Sequence, residues 1–163
     1  PETAMPDDVI ARIRPTPARR ALALLMLFGL GGMLIYLALA APPAHLGWQV
    51  FLLAVGAGAL VLGERMRRAT SKSVELTEEE LRVSDGRVLA RMEDIVGLDR
   101  GLFAFKPSNG FVVLVAEPGP AAWAPGLWWR IGRRIGIGGV TPSAEGKFAA
   151  ELIAQHLARR DAG

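Results

Sequence analysis

The segment ALALLMLFGLGGMLIYLALAAPPAHLGWQVFLLAVGAGALVLG, residues 21–63, decides the architecture of this chain of 163 residues. It contains no Asp, Glu, Lys or Arg, and Pro42-Pro43 divides it into apolar runs at residues 21–41 and 46–63. About 20 apolar residues in a helix cross the hydrocarbon core of a bilayer, where the backbone must satisfy its hydrogen bonds internally. The segment therefore predicts a transmembrane helical hairpin over residues 19–64, with helices at about 20–41 and 46–63.

Basic residues flank the two runs on their outer sides, whereas the elbow between them has none. They are Arg12, Arg14, Arg19 and Arg20 before the first run, and Arg65, Arg67, Arg68 and Lys72 after the second. By the positive-inside rule, both termini are cytoplasmic and the hairpin is multi-pass. Arginine is far commoner than lysine, and Ala and Gly are abundant, which is typical of a GC-rich bacterial genome. We therefore expect the bacterial inner membrane.

Two other interpretations fit parts of this pattern. The first run with Ala38-Leu39-Ala40 resembles a signal peptide with a cleavage site, and either run resembles a buried helix of a soluble protein. A second span follows the first at once, and both runs have the length and charged flanks of membrane spans. These features favour the hairpin.

Small residues recur along both runs at the spacing that lets helix backbones approach closely in lipid. They are Gly29, Gly32, Ala54, Gly58, Ala59 and Gly63. This pattern has two interpretations, either packing of the hairpin on itself or a face for another membrane protein. Neither run contains an ionisable side chain apart from Tyr36, which argues against an ion or proton pathway through this chain alone.

Composition excludes several classes of site. The chain has no cysteine, and its two histidines, His45 and His156, fall on opposite sides of the membrane in this topology. We therefore expect no metal and no cofactor. The net charge is +3, but residues 1–72 hold eight Lys/Arg against four Asp/Glu, while the remainder holds eleven against twelve. The nearly neutral remainder argues against a nucleic-acid partner.

Residues 71–163 predict a β-rich cytoplasmic domain, preceded by the hairpin and by an N-terminal cytoplasmic segment at residues 1–18. Alternating apolar and polar residues predict half-buried strands, and Asp85-Gly86 favours a tight hairpin turn. The run at 111–115 is apolar on both faces, which predicts a central strand, and residues 117–126 read as a loop. The predicted strands are residues 74–76, 81–83, 87–90, 92–98, 102–105, 111–115, 127–131 and 136–140.

The chain ends in a predicted amphipathic helix. Thr141 is its expected cap and Pro142 its first residue, and the apolar stripe consists of Phe148, Leu152, Ile153 and Leu157. The predicted fold class is a membrane α-helical hairpin plus a small antiparallel β-barrel or sandwich closed by one C-terminal α-helix.

In its element order, and in the segment VELTEEELRVSDGRVLARMEDIVGLDRG at residues 74–101, the chain resembles bacterial pleckstrin-homology-like (PH-like) domains attached to membrane hairpins. The resemblance covers most of residues 71–160 and implies a binding or scaffolding role without catalysis. The first hairpin carries Glu78-Glu79-Glu80 where a basic inositol-lipid motif would lie, which argues against that ligand.

The most unusual stretch of the domain is residues 123–140, WAPGLWWRIGRRIGIGGV, which holds three of the four tryptophans. Its candidate partner- or lipid-binding residues are Trp128, Trp129, Arg130, Arg133 and Arg134. On a strand the two adjacent tryptophans point to opposite faces. Three interpretations stay open: a core tryptophan with arginines that neutralise Glu78–Glu80, a protein contact, or contact with an anionic leaflet.

We find no catalytic constellation. The glycines at 136–139 lack the Gly-Lys-Ser/Thr ending of a phosphate loop, and His156 favours a structural role on the last helix. The sequence therefore favours a non-catalytic accessory, assembly or scaffold subunit of a larger membrane protein complex, for instance a bioenergetic one. Its expected partners are membrane lipids and other integral membrane proteins. The alternative is a module that binds anionic lipid or the membrane surface.

Overall fold

The computed structural model describes residues 9–99 and 110–163. In these residues, three helices and seven strands follow one another along the chain. They are β1 (Val9–Ile13), α1 (Pro17–Ala40), α2 (Leu46–Ala69), β2 (Val74–Thr77), β3 (Glu80–Val83), β4 (Val88–Arg91), β5 (Ile95–Asp99), β6 (Phe111–Ala124), β7 (Trp128–Ile137) and α3 (Ser143–Asp161). The predicted strand at 102–105 lies outside the described residues.

Helices α1 and α2 form the predicted hairpin, and each has 24 residues. Pro17 begins α1, where its missing N–H costs nothing, and Pro42-Pro43 prevent the helix from continuing. Both helices are long and apolar enough to cross a membrane, and only 11% of the most apolar window of each is buried. A core helix of a soluble protein would be mostly buried, so the outer faces of this pair need an apolar surrounding.

Close glycine contacts hold the two helices together. A Cβ added to Gly56 would lie 3.0 Å from the Gly31 carbonyl oxygen and 2.8 Å from Ile35 Cγ1. A Cβ added to Gly63 would lie 3.2 Å from the nearest carbons of the Phe28 ring. Near the elbow, the Gln49 side-chain amide donates to the Ala38 carbonyl at 2.9 Å. The backbones therefore approach as closely as small-residue packing allows.

Strand β1 precedes the hairpin in sequence but belongs to the β domain. It pairs antiparallel with β2, which follows the hairpin, so α1 and α2 are inserted between two neighbouring strands. Buried Glu75 on β2 lies between Arg12 on β1 and Arg82 on β3, at 2.9 and 3.4 Å. This pairing joins residues 9–13, predicted as part of a separate N-terminal segment, to the domain that was predicted to begin at residue 71.

The predicted layout of a helical hairpin, antiparallel strands and one C-terminal helix is confirmed. Of the predicted barrel or sandwich, the barrel is wrong for the described residues, which form two open antiparallel sheets with orders β1-β2-β3-β4 and β5-β6-β7. A short 3-10 helix, Met92–Asp94, interrupts the chain between β4 and β5 where the sequence predicted continuous strand. Helix α3 contacts β1 of one sheet and β5 and β6 of the other. The helix thus packs across both sheets where a barrel would need a continuous hydrogen-bond ladder.

The loop predicted at residues 117–126 is also wrong, because β6 continues to Ala124. Its register with β7 shifts on both sides of Gly119, which lets the ladder pass Pro118 and Pro120, residues that have no N–H to donate. The two short strands predicted after it form the single strand β7, which bends at Gly132 with φ +58°. The central position of β6 is confirmed.

The two sheets and α3 share one core, which includes Leu76, Leu81, Ile95, Val113, Ile135, Ala149 and Ile153. Phe148, predicted on the buried stripe, is instead 56% exposed. Thr141 does not cap α3, which begins at Ser143 after Pro142. Its hydroxyl is buried and finds no hydrogen-bond partner in the described part of the chain.

Gly56 and Gly58 provide a matched test of the hairpin interface. Gly56→Ala places a methyl group against Ile35 and the Gly31 carbonyl, and overpacking of this kind costs about 1–3 kcal/mol. Gly58→Ala meets nothing within 4 Å, and alanine favours a helix over glycine. Thermal unfolding in detergent, followed by circular dichroism, should show a lower midpoint for Gly56→Ala only. Equal midpoints would contradict this interface.

Candidate functional site

Three hydrogen-bonded segments meet where the hairpin enters the β domain, and we call this region the joint. The Thr16 N–H donates to the Val140 carbonyl at 2.7 Å, and the Arg19 guanidinium donates to the Thr141 carbonyl at 3.0 Å. Arg20 donates to the Thr70 hydroxyl at 2.9 Å. The start of α1, the end of α2 and the loop before α3 are thereby tied together.

The turn between β6 and β7 packs on the same end of α2. Gly126, with φ +80°, lies so close to Met66 and Thr70 that an added Cβ would be 2.9 Å from the Met66 methyl. Its carbonyl accepts the Val140 N–H at 3.1 Å. The β6–β7 hairpin therefore starts from the joint, and its side chains are positioned relative to α2.

The tryptophans Trp128 and Trp129 have different surroundings. Trp128 is 5% exposed and part of the core, and the Arg87 guanidinium lies 5.0 Å from its ring centroid, within cation–π range. Trp129 is half-buried and covers Gly136 so closely that a Cβ there would overlap the indole. Glycine at 136 thus makes room for the Trp129 indole.

The three candidate arginines bond to the domain itself. Arg130 donates to the Leu89 carbonyl at 3.3 Å, Arg133 donates to the Val115 carbonyl at 3.0 Å, and Arg134 pairs with Asp99 at 3.7 Å. Glu80 has its own partner, Arg82, at 3.5 Å. The partners seen for these arginines therefore differ from the Glu78–Glu80 run expected in one interpretation.

We call the surface formed by Trp123, Trp129 and Ile131 the Trp123 face. Trp123 and Ile131 are apolar residues outside the candidate set. Trp123 pairs directly with Trp129 across the β6–β7 ladder, and directly paired residues lie on one face of a sheet. Trp123 is 58% exposed and Ile131 is 68% exposed. A groove of about 460 Å³ is lined by Ala121, Ala122, Trp123, Trp129, Arg130 and Ile131.

Sequence reasoning missed Trp123 and Ile131 because it placed Trp123 in a loop and ended a strand at Ile131. The usable signal was the spacing. In a hairpin that turns at Pro125-Gly126, Trp123 and Trp129 lie opposite each other, since each is three residues from Gly126. Ile131 lies two residues after Trp129 and therefore on the same face. A turn at Pro125-Gly126 would have implied this surface.

A second, polar cleft of about 550 Å³ lies between the β2–β3 turn and α3. Its lining includes Glu78, Glu79, Glu80, Arg91, Glu93, His156 and Arg160. His156 is half-buried there. Within residues 9–99 and 110–163, no group of three or more His, Asp or Glu side chains is placed to hold a metal ion.

The small residues singled out in the hairpin fall into two sets. Gly63 lies inside the hairpin, and Ala59 is half-buried. Gly29, Gly32 and Gly58 face open space, with nothing within 4 Å of an added Cβ, and Ala54 is exposed. Gly31 and Gly56, which sequence reasoning missed, make the closest contacts between the helices. Some of these small residues therefore lie where packing of the hairpin on itself needs them, and others lie where they could contact another membrane protein.

In comparisons with known proteins, no family model, no curated protein and no solved structure matches the chain.

An ion pair joins the end of the hairpin to the turn between β3 and β4. Lys72 donates to the Asp85 carboxylate at 2.6 Å. This hydrogen bond is the main reason that the pKa of Asp85 lies below its ordinary value. Because the pKa of Asp85 is lowered on folding, the pair stabilises the fold above the unfolded pKa of about 3.9 and the contribution is lost as the pH falls through the folded pKa.

Asp85→Asn should therefore lower stability slightly at neutral pH, by less than about 1 kcal/mol because both side chains are partly exposed. The difference from the unsubstituted protein should shrink as the pH falls below about 4. Unfolding midpoints measured in detergent between pH 3 and 7 provide the test. A difference that persists unchanged at the acid end would contradict the pairing.

Proposed function

We propose that this protein is a non-catalytic accessory, assembly or scaffold subunit of a larger membrane protein complex. It spans the bacterial inner membrane through α1 and α2 and presents a β domain with PH-like architecture to the cytoplasm. The observation that carries the proposal is the insertion of the hairpin between paired strands β1 and β2. A domain joined to its anchor at both ends, through the joint, is suited to hold partners in a fixed relation to the membrane.

The outer surface of the hairpin supports the membrane placement. Leu25 and Met26 on α1 are 70% and 63% exposed, and Trp48 and Phe51 on α2 are 60% and 52% exposed. Water around so many large apolar side chains is unfavourable, and lipid or another membrane helix is the natural surrounding. Because β1 lies before α1 and pairs with β2, the segment around α1 also differs from a signal peptide that is cleaved away.

The PH-like assignment has support from the element order. After the membrane hairpin, antiparallel strands are followed by one closing helix, which is the order that the resemblance implies. Strand β1, which precedes the hairpin, is not part of that order. The β2–β3 turn carries Glu78 and Glu79, both exposed, and the polar cleft beside it is rich in carboxylates. This charge favours protein partners over inositol phosphates as the ligands of the domain.

The orientation can be tested directly because the chain has no cysteine. In intact cells, Ala44→Cys in the elbow should react with a membrane-impermeant maleimide, whereas Ser84→Cys, also exposed, should react only after the membrane is permeabilised. Mass-tagging on a gel measures both. The reverse pattern would place the β domain outside and overturn the assignment.

A partner in the membrane would find its closest approach at the outward glycines. Gly29 and Gly32 lie on exposed α1 surface and Gly58 on exposed α2 surface, so a neighbouring helix can approach either backbone. This surface is separate from the Gly31–Gly56 contact that holds the hairpin itself.

Purification of the tagged full-length protein from native membranes in a mild detergent should yield a defined set of membrane proteins. Gly32→Ile should reduce their recovery severalfold, because the added side chain blocks close helix approach while meeting nothing in this chain. Leu25→Ile, at another exposed α1 position, is the matched control and should retain them. A lone monomer under every gentle condition would contradict the proposed function.

A further inference from the structure

We propose that the Trp123 face rests in the headgroup layer of the cytoplasmic leaflet and holds the β domain against the membrane. The partner is the lipid surface, and the contact is made by apolar side chains, chiefly Trp123 and Ile131. The inference rests on the membrane placement proposed above but not on any protein partner.

The first step is that the face is apolar and unoccupied by this chain. Trp123 and Ile131 are 58% and 68% exposed, and both line the groove of about 460 Å³ beside the half-buried Trp129. Arg130 is the one charged residue in the described lining, and its guanidinium is engaged with the Leu89 and Gly132 carbonyls at 3.3 and 3.5 Å. A ligand of this surface must therefore be largely apolar.

The second step is the position of the face beside the membrane helix. Trp123 lines one small cavity together with Ala69 and Lys72, at the C-terminal end of α2. Ala69 lies six residues after Gly63, where the apolar run ends, which is about 9 Å along a helix. Headgroups occupy about 5–8 Å on each side of the hydrocarbon core. Ala69, and the Trp123 indole beside it, therefore lie at the water-facing edge of the cytoplasmic headgroup layer, within reach of the headgroups.

The third step is the chemistry of that layer. Tryptophan is enriched at the membrane–water interface, where its apolar body and its N–H are both accommodated. The last turns of α2 add exposed Arg65, Arg67 and Arg68, which anionic headgroups attract. Trp123 therefore lies next to the C-terminal end of a helix whose last turns carry cations, a position that favours contact with lipid.

The arginines of β7 have a different role in this arrangement. Arg130 and Arg133 support the β6–β7 hairpin through carbonyl contacts at Leu89 and Val115. These contacts hold the β6–β7 hairpin to neighbouring backbone, and Arg130 also lines the groove. Contact with lipid therefore depends on the apolar side chains, and should not require an anionic membrane.

Single cysteines in the cysteine-free protein allow a depth measurement. The full chain is reconstituted into vesicles of phosphatidylcholine, with or without phosphatidylglycerol, and spin-labelled at Ile131, Val96 or Leu25. All three positions are exposed. Val96 lies on β5 and does not line the groove of the Trp123 face, and so serves as the control outside the proposed contact. Leu25 on α1 is the lipid control.

The label at Ile131 should collide severalfold less often with a water-soluble nickel chelate than the label at Val96, in both lipid mixtures. Equal collision rates at Ile131 and Val96, with Leu25 protected, would overturn the inference and leave the membrane anchor standing. Protection only with phosphatidylglycerol would assign the contact to arginines and would also overturn it. An unprotected Leu25 would remove the proposed membrane placement itself.

A label-free measurement guards against a nitroxide that drives its own insertion. In a Trp48→Phe background, brominated phosphatidylcholine should quench part of the tryptophan fluorescence, and Trp123→Phe should remove most of the quenched fraction. Buried Trp128 provides the unquenched remainder, and half-buried Trp129, in the same groove as Trp123, accounts for the smaller quenching that stays. Quenching that is unchanged by Trp123→Phe would contradict the proposal.

Discussion

The pairing of β1 with β2 is the constraint on which the rest of the structure depends. These strands flank the hairpin in sequence, yet Ile13 lies opposite Val74 in one ladder. The ends of α1 and α2 must therefore meet at one place, and the joint is built there. Glu75, held between Arg12 and Arg82, adds charge pairing to the backbone hydrogen bonds of the same three strands. Replacement of Glu75 alone would leave two guanidinium groups without their shared carboxylate.

From the joint, the remaining features follow by geometry. The Pro125–Gly126 turn packs on Met66 and Thr70, so the β6–β7 hairpin projects from the end of α2. On one face of the β6–β7 hairpin Trp128 lies in the core, and the other face carries Trp123 and Ile131. The relation between anchor and domain is thus set by side-chain packing and backbone hydrogen bonds, with no free linker between Ile13 and Pro17.

The sequence predicts the two long apolar helices and their hairpin well because the signal is strong and local. Uncharged runs of membrane-spanning length, with charged flanks and a Pro-Pro elbow, allow few alternatives. The strands β2 to β5 are also close to their predicted positions, since alternation and the Asp85-Gly86 turn are short-range signals. The contacts between the two helices were harder to predict from the sequence. All four of Gly31, Gly56, Gly29 and Gly58 are glycines in an apolar run, and only the rotation of each helix about its axis decides which of them face the other helix.

Two further strands could not be predicted from the sequence because each pairs with a strand that its own residues do not identify. Residues 9–13 carry a short strand pattern whose partner lies beyond the hairpin, so nothing nearby identifies it. Residues 117–124 look like a loop because Pro118, Gly119 and Pro120 are poor strand formers, but pairing with β7 overrides that preference through register shifts. The candidate surface was missed for the same reason, since Trp123 and Ile131 meet only when this hairpin forms.

The insertion of α1 and α2 within a sheet has a consequence for biogenesis. During synthesis β1 precedes the hairpin and stays unpaired until α1, α2 and β2 have followed it. Association of the two helices brings their neighbouring ends, and with them Ile13 and Val74, together. Much of the entropic cost of closing so long a loop has then been met before the strands pair, and completion of the sheet depends on assembly of the hairpin.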